Sequence, residues 1–403
     1  MESLPDGTKQ APGPEVKLMA SPSSYRWPVA LLIALAVLAA LVVVVGLPLR
    51  VRVDGPRLGA PWVGSPGATL EIRLASSLPF ALPDLQWTLE GAGASAPLAI
   101  SATGWDGAVA RLTATVPALP DGAYGLRLRS ATQDLTMPRA VFLRRDWPAR
   151  LRLVQIADLP PPGRERMMPR FIEQMQQQHP DAVLVTGDIN YGGSESNIQF
   201  IYGQLALLEV PVIVVAGNHE REGWSRYLRV FGERDHRTDF GPLAILSLDS
   251  NHGRDALTPR SFRWLQGELA HLGGRTPVIQ IHHPVFAPGP GATADAGGTG
   301  GYLRGYRSAF IELCARYDVP IVLSGHWHQD AVFDSTGTYR SDRTDFAGTK
   351  FVVTTALGAQ VRNVYAQSPA VNGYRWIEFV DGKLQSYGPD AHNPVLSTAL
   401  GQP

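Results

Sequence analysis

The sequence predicts an α/β chain of the α+β kind in three parts: one transmembrane helix, an all-β sandwich and a layered domain. Three observations lead there. An uncharged apolar run, "WPVALLIALAVLAALVVVVGLPL", covers residues 27–49. Between residues 52 and 147, short segments alternate apolar and polar side chains, with Gly, Pro and Asp between them. After residue 148, short apolar runs alternate with helical stretches instead.

Composition narrows the function classes. The 36 basic and 36 acidic residues cancel, so no electrostatic case exists for a nucleic-acid partner. Cys314 is the one cysteine, which excludes an intramolecular disulfide. Its setting, "AFIELCARY", is helical and apolar and reads as a buried core thiol.

Taken in order, residues 1–26 form a Pro/Ser/Gly-rich polar tail that reads as disordered. The run 27–49, closed by Arg26 and Arg50, is long enough to cross a hydrocarbon core as a helix of about 20 residues. It lacks a small-x-small cleavage site, which favours an uncleaved anchor. Basic residues balance across it, so the positive-inside rule decides little. A short head and a long following domain suit an anchor with the bulk of the chain on the extracytoplasmic side. Residues 52–147 supply "ATLEIRLAS", "LQWTLEG", "VARLTATVP" and "YGLRLRSA", the texture of an immunoglobulin- or fibronectin-like sandwich without a cluster of His, Asp or Glu. Residues 148–390 carry helices such as "RFIEQMQQQH" and "SFRWLQGELAHL" and close on a hairpin around Asp381-Gly382, before a tail at 391–403.

The chemistry gathers in that last domain. "LVQIAD" ends on Asp158, "AVLVTGD" on Asp188, and "VPVIVVAGNHE" reaches Asn218 and His219. "PVIQIHHP" reaches His282 and His283, and "VPIVLSGHWH" ends on His326 and His328. Ligands of layered α/β folds bind beyond the carboxyl ends of strands. Alone, "GD" reads as a turn and "GNHE" as a solvated histidine. Together, five strands aiming Asp, Asn and His at one edge point to a metal centre. Carboxylate, amide and imidazole donors without thiolate suit divalent Mn, Fe, Zn or Co. Asp188 is suited to bridge two such ions, which supply a metal-activated hydroxide and clamp a phosphoryl group. His219, beside Asn218, is placed to protonate a leaving oxygen.

These segments in this order resemble the calcineurin-like metallophosphoesterase family, whose pattern is Asp-x-His, Gly-Asp, Gly-Asn-His-Asp/Glu, His before Pro, and Gly-His-x-His. The resemblance covers about residues 150–360. It implies a four-layer core of two mixed β-sheets flanked by helices, with two metals at the strand ends. Carried over, Asp158 and His328 hold the first metal, Asp188 bridges, and Asn218, His282 and His326 hold the second. His282 is preferred to His283 because the family ligand stands two residues before the proline. His219 is the catalytic histidine. The preceding sandwich is similar to purple acid phosphatases, but no equivalent of their iron-binding tyrosine is evident in the sequence.

One segment departs from the pattern. In "ADLPPPG", Pro160 stands where the family carries a histidine. Three outcomes are open: a weaker first metal, a substitute ligand such as His252, or a centre that holds one ion tightly or does not work. The implied activity is hydrolysis of a phosphomonoester or phosphodiester, lipid-linked or nucleotide. The rival is a scaffold protein at the membrane with an impaired centre. The Gly-rich loop at 287–306 reads equally as a lid or as a disordered insertion, with Arg304 and Arg307 as candidate phosphate contacts.

Overall fold

The computed structural model describes residues 29, 31–37, 50–77, 82–91, 93–107, 109–191, 194–253, 255–286, 302–340, 346–361 and 372–388. Most of the expected span at 27–49, the loop at 287–301 and the tail at 391–403 lie outside them. Residues 29 and 31–37 are helical, and no helix among the described residues is long and apolar enough to cross a membrane. The remaining elements lie in a unit of residues 49–403.

From residue 51 to 143 the chain builds two sheets. One orders the strands Val51–Gly55, Thr69–Ser76, Val109–Thr115 and Ile100–Asp106. The other orders Trp62–Gly64, Asp134–Leu143, Gly122–Arg129, Gln86–Gly91 and Ala94–Pro97. Alternation in the sequence becomes alternation in burial. In Thr69–Ser76, Leu70, Ile72 and Leu74 are buried, and they share a core with Trp87, Leu89, Leu126 and Leu128 of the second sheet. This part of the chain is docked on the rest. Val214 N–H donates to Gly59 O at 2.7 Å, and Arg73 pairs with Glu233.

From residue 150 onward the parallel central strands are buried on both faces, as strands covered by helices must be. Ala182–Thr186, Val212–Val215, Leu243–Leu248 and Ile321–Ser324 are buried at every position. One five-stranded sheet runs Val212–Val215, Ala182–Thr186, Arg150–Ile156, Arg375–Val380, Lys383–Ser386. One six-stranded sheet runs His236–Phe240, Leu243–Leu248, Thr276–Ile281, Ile321–Ser324, Lys350–Val353, Ala331–Phe333. The two turn apolar faces toward each other, where Leu151, Leu153 and Leu184 meet Ile245, Val278 and Leu323. Their outer faces carry helices: Met167–Gln178 and Glu195–Leu205 on the first, Pro259–Ala270 and Arg307–Arg316 on the second. Cys314 lies buried in this last layer, and burial pushes its thiol pKa up. Helix starts follow capping chemistry: Ser194 Oγ accepts from Asn197 N–H at 3.1 Å, and Thr258 Oγ1 from Ser261 N–H at 2.8 Å.

Several buried polar residues share the inner face, among them Gln155, Gln280 and Arg375. Gln155 follows Leu151 and Leu153 in the strand's period of two and is fully buried. Its amide donates to Thr186 Oγ1 at 3.1 Å and to Ser324 O of the other sheet at 2.9 Å. Its oxygen accepts from Thr354 Oγ1 at 2.7 Å, and Thr354 accepts from the buried Arg375 at 2.9 Å. Gln155→Leu would strand those partners in the core, at a cost of about 2–4 kcal/mol. Urea denaturation should show a lower midpoint with an unchanged slope; an unchanged midpoint would remove Gln155 as the clamp between the sheets.

Candidate metal centre

Four of the sequence-derived site residues begin where a strand gives way to a left-handed turn. Asp158, Asp188, His326 and His328 have φ of 51°, 53°, 71° and 54°, a region costly for residues other than glycine. The strands deliver the chain to the edge, and these turns swing the side chains back over it. Two glycines make the approach possible. A Cβ at Gly187, itself at φ 93°, would stand 2.4 Å from His282 Nδ1. A Cβ at Gly217 would stand 2.2 Å from the Asp188 carboxylate.

The second-metal set converges as expected. His282 Nε2 lies 3.0 Å from Asn218 Oδ1, 3.1 Å from His326 Nδ1 and 3.3 Å from Asp188 Oδ1. His282 Nδ1 donates to Thr186 O at 2.8 Å, which leaves Nε2 to face the cluster, with a proton toward Asp188 or a lone pair toward a cation. Burial opposes charge on Asp188, yet His282 and His219 hold its carboxyl below the usual range. Burial likewise opposes charge on His282, yet Asp188 pushes it up to about 9. Burial holds His326 well below the usual histidine value. The pocket calls for positive charge. Donors that share an ion at about 2.1 Å stand about 3 Å apart, so these spacings fit one.

At the first-metal set, Asp158 Oδ1 lies 3.3 Å from His328 Nε2. His328 Nδ1 donates to Gln360 O at 2.7 Å, which leaves Nε2 as the lone pair. Ligand atoms of Asp158, Asp188 and His282 lie within 4.8 Å of one another, which puts Asp188 between the two sets. At the departure around Pro160, the geometry offers a substitute donor, as one of the three sequence expectations allowed, but not His252. Pro160 is buried against Gly358, where a Cβ would come within 2.4 Å of its ring. His252 is exposed and pairs with Ala256 away from the cluster. Tyr191 stands at the open side instead. Its Oη donates to His328 Nε2 at 3.0 Å and lies 3.5 Å from Asp158 Oδ1. Burial and the nearby carboxylates push its phenol pKa above the ordinary value. Sequence reading missed this tyrosine. The signal was its place three residues after Asp188, past a turn that reverses the chain toward the site.

Two further residues shape the site. His219 N–H donates to Asp188 Oδ1 at 3.0 Å, and the ring packs against that of Tyr191, centroids 4.2 Å apart and tilted by 39°. Its Nε2 stays 3.9 Å from Asp188 Oδ2 and its side chain is 40% exposed, so it stands at the mouth rather than among the donors. Glu220 lies behind, buried. It accepts from the N–H groups of Gly217 at 2.6 Å, Asp188 at 3.2 Å, and Ile189 and Asn190 at 2.9 Å. One carboxylate thus ties the Gly-Asp turn to the Gly-Asn-His turn, which explains an acidic residue after His219.

Three substitutions test this geometry. Tyr191→Phe should weaken one of the two ion affinities by about tenfold or more in calorimetric titration, with the other unchanged. Pro160→His should lower thermal stability against Gly358 and tighten no ion; a tighter first ion would mean that Tyr191 is no donor. Glu220→Gln, which turns an amide toward four N–H donors, should cost about 2–4 kcal/mol in the same protein.

Comparison with known proteins matches the position of this centre. Residues 151–330 match the family described as calcineurin-like phosphoesterase. A glycerophosphodiester phosphodiesterase of Enterobacter lignolyticus is 28% identical over 27% of this chain and 43% of its own length. A protein named probable glycerophosphodiester phosphodiesterase, of Arcobacter nitrofigilis, is 32% identical over 26% of this chain and 42% of its own. The match spans under half the length of either relative. A purple acid phosphatase from yellow lupin seeds aligns in structure at 16% identity and a TM-score of 0.48, over 86% of this chain and 72% of its own. The family match and the curated relatives together support the calcineurin-like phosphoesterase family for residues 151–330.

Proposed function

We propose that this chain is a metal-dependent hydrolase of phosphoric esters, with a phosphodiester as the preferred substrate. The observation that carries the reading is the pair of donor clusters that share Asp188, with the exposed His219 beside them. Asp158, Asp188, Tyr191 and His328 would hold the first ion; Asp188, Asn218, His282 and His326 would hold the second. Bound there, the ions supply charge that polarises a phosphoryl group and acidifies water. The chain itself does the rest. Asp188, anchored by the His219 N–H, sets the spacing of the two positions. The His219 ring, steadied by Tyr191, is free at its outer edge to give a proton to the leaving oxygen. Carbonyls at Thr186 and Gln360 hold the Nδ1 protons of His282 and His328, so Nε2 of each is the nitrogen left to face a cation.

The names of the curated relatives favour a diester over a monoester. The impaired-scaffold alternative predicts a broken donor set, and Tyr191 supports a complete one. Tyr191 also bears on metal identity: a phenolate beside two carboxylates favours a hard, highly charged ion such as ferric iron in the first position. The uncharged run at 27–49 supports membrane anchorage with the hydrolase outside the cytoplasm, and strand alternation supports an immunoglobulin-like class for residues 52–147. A lipid-linked or nucleotide phosphate fits that setting.

The test is hydrolysis of a bis-aryl phosphate by protein loaded with each metal in turn. Asn218→Ala and His219→Ala should each reduce kcat/KM by about 10²–10⁴-fold. Full activity in both variants would sink the assignment. If iron fills the first position, the wild type should show a phenolate-to-iron absorption band in the visible that Tyr191→Phe lacks.

A further inference from the structure

His283 has no place among the donors described above, yet it is fully buried beside them. Its ring lies 4.6 Å from that of His326, centroid to centroid. Ser250 Oγ accepts from the His283 main-chain N–H at 3.1 Å and meets Nδ1 at 2.8 Å. The Ser250 hydroxyl proton is therefore directed to Nδ1, and the imidazole carries its own proton on Nε2. Nε2 lies 2.9 Å from Asp255 Oδ1, an ion-pair contact without hydrogen-bond geometry. The same oxygen takes Arg221 Nη2 at 3.3 Å. Arg221 follows Asn218 and His219 on a single 3₁₀ turn, 218–223. The order outward from the second metal position is thus His326, His283, Asp255, Arg221.

As a stabilising pair, Arg221 and Asp255 are poorly matched. They share one contact rather than a bidentate fork. Arg221 Nε is buried and meets no hydrogen-bond partner among the described residues. Asp255 holds a left-handed φ of 62° with 8% exposure, a backbone cost carried by a residue that is not glycine. Both costs make sense where the direction of the guanidinium matters more than the strength of the pair. Arg221 keeps 31% of its side chain exposed, next but one to the exposed His219. A guanidinium held in this way offers its outer N–H edge to a planar anion.

We propose that Arg221 binds an anionic phosphate oxygen of the substrate on the second-metal side, and that Asp255 and His283 position it. The inference rests on the phosphoester reading above. The oxygen belongs either to the scissile phosphoryl group or to a second phosphate on the leaving moiety. Steady-state kinetics of the full chain, metal-loaded, separate these sources. Bis-p-nitrophenyl phosphate carries one phosphate, and a nucleoside 5′-diphosphate ester carries two. Arg221→Ala should raise KM about tenfold, with most of the loss in KM rather than kcat. A loss on both substrates assigns the scissile group, and a loss on the diphosphate alone assigns the second. Arg221→Lys, which keeps the charge and a partner for Asp255, should recover less than half of the loss because an ammonium lacks the fork. Asp255→Asn should raise KM in the wild type and add nothing in Arg221→Ala; an additive effect would end the positioning role. Calorimetric titration with inorganic pyrophosphate reads the site without turnover and should show weaker binding in Arg221→Ala. If no ester is hydrolysed, the phosphoester reading falls by itself while this titration still decides the role of Arg221. Unchanged KM on both substrates together with unchanged pyrophosphate affinity would overturn the proposal.

Discussion

The fully satisfied amide of Gln155 is the contact on which the rest of the site depends. With the buried Arg375 it ties the two apolar sheet faces together, and it reaches Thr186 and Ser324 at once. Each of these residues lies two or three positions before a metal-donor candidate: Gln155 before Asp158, Thr186 before Asp188, Ser324 before His326. Apolar packing alone fixes the distance between sheets but tolerates sliding, because dispersion and hydrophobic burial have little direction. A buried amide with both donors and its oxygen paired does not tolerate sliding, since any shift strands a polar group in the core. The strands are therefore locked in register with each other immediately below the point where they release their side chains.

Above that lock the chain accepts strain. Asp158, Asp188, His326 and His328 all adopt left-handed backbone. Neighbouring N–H donors hold them there. His326 N–H reaches Asp158 Oδ2 at 2.9 Å, and His219 N–H reaches Asp188 Oδ1 at 3.0 Å. Glu220 gathers four more N–H groups behind them. The candidate donor atoms are thus held close by the fold itself, with the His282 imidazolium beside Asp188 where a cation would stand. An ion bound there would displace that proton, so ion affinity should fall as pH falls.

Much of this was legible in the sequence, and the remainder failed for identifiable reasons. Strand-end Asp, Asn and His could be read because short apolar runs mark parallel strands and their polar terminators stand out. The four-layer core follows from the same alternation of strand and helix, and the two sheets of residues 51–143 from alternation at a period of two. Tyr191 was illegible because a loop tyrosine has no distinctive neighbours, and its direction depends on the left-handed turn at Asp188. Pro160 left three outcomes open because the sequence alone cannot say which neighbour, if any, stands in the place of the family histidine. The roles of Gln155, Glu220 and Asp255 depend on partners distant in sequence, such as Ser324, 169 residues beyond Gln155. No local periodicity encodes such a pairing.

Tyr191 also makes the two metal positions electrostatically unequal. Asp188 is shared, so it favours neither. Beyond it, the first position has the Asp158 carboxylate and a phenol able to ionise, with one imidazole. The second has a neutral amide oxygen and two imidazoles. The ion-free protein keeps the phenol protonated, because burial and the Asp158 charge both oppose phenolate. A cation in that position reverses the sign of the local field and favours ionisation, and more so the higher its charge. Ions at these two positions would therefore meet unlike donor sets, with the more anionic set at the first. The tilted contact of Tyr191 with His219 would couple this asymmetry to the ring at the mouth of the site, since one side chain borders both.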